Sequence, residues 1–393
     1  MLYSIADILS SRTREEIEAA LDFFDELPRK RGSKQNLVQL LAAYLSDPKV
    51  WLNKLMEQDL RMLKKICDAG KGKEVDCIPP DYPLVVEVLH FVVRSDSAND
   101  GYVSMGIPEP FYELIAGNID EVVARKEQDG SFKLERTVLG MVHMYGIVPL
   151  RTFVDCVFSE LEDLEQVREM AANIAAHPSI TLCQEEYKGE SYLVSPYVED
   201  FEELLRMRRR NYKQLRHYFR HSPADAEKCG ENAPFCWPGA GSAEGIALRK
   251  TLEEIGYEGE GLNAAAHTVW LNSQYEPDGH NLDVLLSVVS EIVGEMESFD
   301  QFANYVQTII DYANSVPKWQ LKGHSAKETG LMLYSVTDEY LDEIYCPAMS
   351  ESESEELARF FEKVGKVRPV APDEPCPCGS GLSYRLCHGK HFS

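Results

Sequence analysis

Four consecutive stretches decide the fold: "KLERTVLGMVHMYG" (133–146), "VPLRTFVDCVFSEL" (148–161), "EDLEQVREMAANIAAH" (162–177) and "SITLCQEEYKGESYLVSP" (179–196). The first three carry apolar residues at helical spacing, and the first ends at Gly146, where a tight turn leads into the second. The fourth alternates apolar and polar residues around Lys188-Gly189, the signature of a hairpin. Three helices followed by a hairpin is the order of a winged helix. In that reading 162–177 is the helix that would enter a DNA groove. It offers Arg168 and Asn173 against Glu162, Asp163, Glu165 and Glu169, so a protein-binding or architectural role is expected there.

Working outward, the expected fold class is mainly α, a multidomain helical protein with winged-helix-like segments and a small C-terminal metal knuckle. Residues 1–70 read as an N-terminal helical domain. Thr13 caps a helix that buries Ile17, Leu21 and Phe24, and Ser33 caps one that buries Leu37, Leu40, Leu41 and Tyr44. "GKGKEVDCIPPDYP" after Gly70 is a boundary by composition, and residues 71–221 form the winged-helix-like region. Within it "YPLVVEVLHFVVRSD" (82–96) reads as an apolar helix and 197–221 as a helix with a basic centre. A polar loop, 222–245, separates this region from a helical bundle at 246–345. An acidic helix and Pro-rich tether follow at 346–374, then a tail at 375–393.

The formal net charge is −25 over 393 residues, and the acid is unevenly placed. Residues 1–70 balance 11 Lys+Arg against 11 Asp+Glu, and the last 18 residues carry Arg385 and Lys390 with no acid. The excess acid therefore lies between them. It repels a phosphate backbone over most of the surface, so any nucleic-acid contact must be local. No apolar run approaches the roughly 18 residues that span a bilayer, and the first residues lack a basic stretch before an apolar one. Together with ten cysteines, these features point to a cytoplasmic chain with reduced thiols.

The tail "PCPCGSGLSYRLCHG" (375–389) places Cys376, Cys378, Cys387 and His388 in the spacing C-x-C-x8-C-H. Three thiolates and one imidazole satisfy a tetrahedral zinc ion completely, with no position left for water or substrate, so a structural metal is expected. Gly379 and Gly381 let the chain fold under the ion, and Arg385 and Lys390 offset the residual negative charge. So short a segment cannot bury enough apolar surface to fold alone, and metal binding supplies its folding free energy.

These residues resemble the SEC-C motif, which the SecA translocase and many bacterial proteins carry. Pro-Cys-Pro-Cys-Gly-Ser-Gly, Tyr384 and the closing Cys-His-Gly agree, whereas Leu382 and Ser383 stand where basic residues are usual. The resemblance implies a zinc knuckle, with iron as the alternative metal, that docks onto a protein or ribonucleoprotein partner. It covers the tail alone, and no G-x-x-x-x-G-K-[ST] loop accompanies it. "SVPKWQLKGHSAKE" (315–328) is similar to a segment of bacterial proteins that carry such a tail.

Three further candidates stand apart from the tail. His217, His221, Cys229 and Cys236 form H-x3-H-x7-C-x6-C, a candidate second metal site if both histidines share one helical face. Residues 13–45 resemble SAP-type and Rho N-terminal-like helical hairpins, which implies phosphate contact through Arg29, Lys30, Arg31 and Lys34. "RMRRRNYKQLR" (206–216) is the densest basic run, a solvated helix face or a patch for an acidic partner. No G-x-S-x-G, H-E-x-x-H or kinase loop occurs, and His267 reads as a core histidine, so no enzyme activity is expected. The function expected is a non-enzymatic interaction protein; the alternative is a nucleic-acid-associated regulator using the N-terminal loop and the winged helix.

Overall fold

A computed structural model describes residues 4–80, 84–89, 91–99, 101–158, 180, 183–213, 215–274, 292 and 299–329. The fold is mainly helical, with two small antiparallel three-stranded sheets. The described residues fall into two compact units. One holds the chain up to Glu135 together with Ile180; the other holds 136–158 and 183–329.

In the N-terminal unit, Ser4, Thr13 and Ser33 each close a helix start by accepting a backbone N–H three residues on. The caps at Thr13 and Ser33 are those expected. Leu37 and Leu41 are buried as expected, but Leu40 is exposed and Val38 takes its place. The Lys34–Leu45 helix ends before Pro48, which opens the next short helix, Pro48–Leu52, because its missing N–H costs nothing in a first turn. Strands β1 (Glu74–Cys77), β2 (Val93–Asp96) and β3 (Val103–Gly106) pair in the order β1-β3-β2. The apolar run 82–96 is thus a short helix, Val85–Val88, and then a strand, rather than one helix. One core runs from Leu9 through Phe132, with Trp51 stacked on Phe91 at 4.4 Å and Phe91 set edge-on to Phe111. It continues across residue 70, and the stretch that follows supplies strand β1 to the same unit.

Three chargeable side chains, Lys126, Glu135 and Asp59, are buried in this unit. Lys126 meets Glu135 at 2.8 Å and also donates to Leu55 O, so its charge is paired and solvated by dipoles. Asp59 accepts from Val86 N at 3.0 Å through one oxygen while the other has no hydrogen bond, and burial pushes its pKa up to about 7. An aspartate in an unfolded chain titrates near ~4. The folded state therefore holds an extra proton between about pH 4 and 7, and stability falls as pH rises through that window. Asp59→Asn is expected to change stability little at pH 5 and to raise the unfolding midpoint at pH 8, read by thermal denaturation at both pH values.

In the C-terminal unit the hairpin forms at its expected turn. Strands β5 (Gln184–Tyr187) and β6 (Glu190–Val194) join through Lys188 and Gly189, both at positive φ, as a two-residue turn requires. A third strand, β4 (Ile147–Pro149), follows the Ser131–Tyr145 helix and pairs with β6, giving the order β4-β6-β5. Pro149 is tolerated because β4 is an edge strand. The stretch 197–221 is helical only over Phe201–Asn211. Beyond it Tyr212 and Leu215 are buried and Phe219 N donates to Lys322 O, contacts a continuing helix could not make. The expected loop 222–245 contains a helix, Pro223–Gly230, and buries Cys229, Cys236 and Trp237, so it is part of the core of this unit. The helices Ala243–Ile255, Gly259–Asn272 and Phe299–Ser315 pack around it. The third helix of the winged-helix reading (162–177) and everything from 330 onward lie outside the described residues.

Backbone meets backbone where Ser131–Tyr145 crosses Pro223–Gly230. A Cβ on Gly140 would stand 1.8 Å from Ala226 O, and one on Gly230 would stand 2.1 Å from Arg136 O. Neither carbonyl can swing away without breaking its helix. Gly140→Ala and Gly230→Ala are each expected to cost ~1–3 kcal/mol as overpacking, measured by chemical denaturation.

Candidate functional site

The ligand set Cys376, Cys378, Cys387 and His388 lies outside the described residues, so the test of fit is the chemistry of its donors. Three thiolates and one imidazole match the preference of a structural zinc ion.

The second set does not come together. Among the described residues no group of three or more His, Cys, Asp or Glu side chains could hold a metal ion. His217 is exposed, and it does not share a helical face with His221 because the helix has ended before either. His221 is buried against Tyr145 and Phe219, with Nε2 at 2.9 Å from Gly323 O. A carbonyl only accepts, so this nitrogen donates and carries the hydrogen. Burial pushes the pKa of His221 down to about 4 and raises those of the Cys229 and Cys236 thiols, which opposes the thiolate that a metal needs.

The cationic loop at the N-terminus is partly committed. Arg31 pairs with Glu18 at 2.8 Å and the Lys34 amine donates to Ser10 O at 2.9 Å, while Arg29 and Lys30 are exposed.

The basic run 206–216 holds the residue that sequence reasoning missed. Arg208 is 3% exposed, and its guanidinium donates to Trp319 O and Ile147 O, both at 2.8 Å, and to Tyr145 O at 2.6 Å. It also reaches the Tyr218 hydroxyl at 3.3 Å. The segment it grips, 316–325, is buried in turn. Trp319 donates through Nε1 to His143 O and through its backbone N–H to Gln274 Oε1. Lys318, fully buried, donates to the carbonyl and hydroxyl of Ser273, and burial lowers its pKa well below that of a free lysine. No spacing in the sequence signals this arrangement; the aromatic Trp319 between two lysines is its only trace.

A cavity of about 430 Å³ opens beside this segment, lined among others by His221, Asp225, Lys228, Cys229, Ser242 and Glu328. Its three serines are engaged: Ser242 donates to Gly239 O and accepts from Gly245 N to cap the Ala243–Ile255 helix, Ser315 donates to Tyr312 O, and Ser325 accepts from Glu328 N. His267 is a buried histidine, as expected, with Nδ1 at 2.5 Å from Cys236 O. His143 sits at 2.9 Å from Ser195 Oγ, and its pKa is pushed down to about 3, chiefly by burial.

The pH behaviour of the C-terminal unit follows. Unfolded histidines titrate near ~6.5. The unfolded chain therefore takes up protons that His143 and His221 refuse in the folded state, and their contribution is lost as pH falls from about 6.5 toward 3 to 4. Thermal denaturation between pH 7.5 and 4.5 is expected to show a falling midpoint, and the fall should shrink in His221→Gln.

Comparison with known proteins places one segment. The SEC-C motif profile matches residues 374–390. The translocase subunit SecA of Ralstonia pickettii (strain 12J) is 48% identical over 44 residues, 11% of this chain and 5% of its own length. SecA of Methylobacillus flagellatus is 44% identical over 41 residues, 10% of this chain and 4% of its own length. No solved structure matches the chain. No helix of the described residues is long and apolar enough to cross a membrane. The chain carries a SEC-C motif, a metal-binding motif, at residues 374–390, and its likeness to these SecA subunits covers about a tenth of its length.

Proposed function

We propose that this is a non-enzymatic cytoplasmic interaction protein, in which Cys376, Cys378, Cys387 and His388 hold one zinc ion and the resulting knuckle docks onto a protein or ribonucleoprotein partner. The observation that carries this reading is the SEC-C motif at 374–390, with all four donors present in the sequence. A closed donor set makes the metal a fold-maker rather than a reaction centre. The body serves as a helical scaffold. Its helix–β4–helix order, followed by the β5–β6 hairpin and the sheet order β4-β6-β5, supports a winged-helix unit with an architectural role. A nucleic-acid-associated regulator draws less support, because Arg31 and Lys34 are already engaged within their own unit.

Metal analysis of the reduced full chain is expected to give one equivalent of zinc (iron being the alternative), and none in Cys376→Ser/Cys378→Ser, with the thermal unfolding of the body unchanged. Full zinc content in that double variant would remove the assignment. Affinity isolation compares the partners held by the full chain and by the variant; an unchanged partner profile would refute docking through the knuckle.

A further inference from the structure

A second cleft, of about 300 Å³, lies where the Phe201–Asn211 helix, strand β6 and the turn at Lys322 converge. Four cations line it, Arg208, Arg209, Lys213 and Lys322, together with Tyr192 and Tyr218. In a chain of net charge −25, no carboxylate is among its lining residues. None of the four cations forms an ion pair among the described residues. Arg208 spends its donors on carbonyl oxygens and a phenol, and Lys322 donates to Leu215 O at 2.5 Å. These contacts orient the two groups without neutralising them. Both stand over one ring, that of Tyr218, with the guanidinium at 5.5 Å and the ammonium at 5.6 Å from its centroid. Burial lowers the pKa of Lys322, and the charge of Arg208 lowers it further, the mark of like charges held together. Glu190, outside the lining, accepts the Tyr192 hydroxyl at 2.5 Å.

We propose that this cleft binds a compact phosphoryl dianion, either inorganic phosphate or a small phosphate monoester. The Arg209 guanidinium and the Lys213 and Lys322 ammonium groups converge as donors for the several acceptor oxygens of a phosphoryl group, and the buried charge of Arg208 adds to the field they meet. The Tyr218 hydroxyl, which accepts from Arg208, keeps its own hydrogen to donate. Size favours a small ligand over a polymer: the cleft offers only about 300 Å³, and the acidic charge of the chain repels an extended phosphate backbone. Arg208 and Lys322 are held by the fold, whereas Arg209 and Lys213 are exposed and can close on the ligand.

The test titrates the full chain calorimetrically with inorganic phosphate and with glycerol phosphate, at ionic strength held constant with chloride. Saturable binding is expected, weakened at least tenfold in Arg209→Ala/Lys213→Ala and unchanged in Lys228→Ala, which removes a cation from the other cavity. Both substitutions are at exposed positions, and circular dichroism verifies the fold. Tighter binding of glycerol phosphate assigns an organic monoester, and the reverse assigns the free ion; either supports the site. Three results overturn it: no saturable binding beyond that of chloride, equal weakening by Lys228→Ala, or binding of a single-stranded RNA oligomer that phosphate does not displace.

Discussion

The guanidinium of Arg208 is the contact on which the C-terminal unit depends. It joins the end of one helix at Tyr145 and the first residue of β4 at Ile147 to the buried turn at Trp319, far along the chain from both. Taking a cation out of water costs several kcal/mol unless dipoles replace the lost hydration. Here carbonyl oxygens do so, and an arginine is suited to the task because its planar fork reaches several acceptors at once. Gly146 completes the junction. Its φ of +66° is open to glycine, and a Cβ there would stand 2.5 Å from the Trp319 ring. The helix end, the edge strand and the tryptophan turn thus specify one another.

This junction and the metal tail represent two ways of fixing a chain. The body is held by buried apolar and polar contacts of long sequence separation. A motif as short as SEC-C cannot be held that way, and a metal-binding segment of this kind draws its folding free energy from the ion it takes up. A motif that folds on a metal depends little on a surrounding core, so it can recur in proteins that are otherwise unlike, as in the SecA subunits that this chain matches over a short segment.

What could be read from the sequence follows the same division. The caps at Thr13 and Ser33, the turn at Lys188-Gly189 and the ligand spacing of the tail are local, set by residues within a few positions of one another. Strand β4 escaped notice because three residues carry no period and its partner is remote. The run 82–96 was too uniformly apolar for its periodicity to separate helix from strand. Residue 70 looked like a boundary because glycine and proline mark turns whether or not the core continues beneath them. Arg208 was hidden among arginines that do face solvent; only its packing against Tyr145, Ile147 and Trp319 distinguishes it.

The sheltered thiols give the body a chemical temperament of its own. Cys67 is pushed up to about 11 and Cys183 to about 12, both chiefly by burial, and Cys229 and Cys236 are raised as well. Only a thiolate attacks peroxides or alkylating agents, and a group with pKa about 11 is ionised to roughly one part in ten thousand at neutral pH. Electrophilic stress therefore finds little purchase on these four sulfurs, and the scaffold stays inert where a thiolate would be consumed.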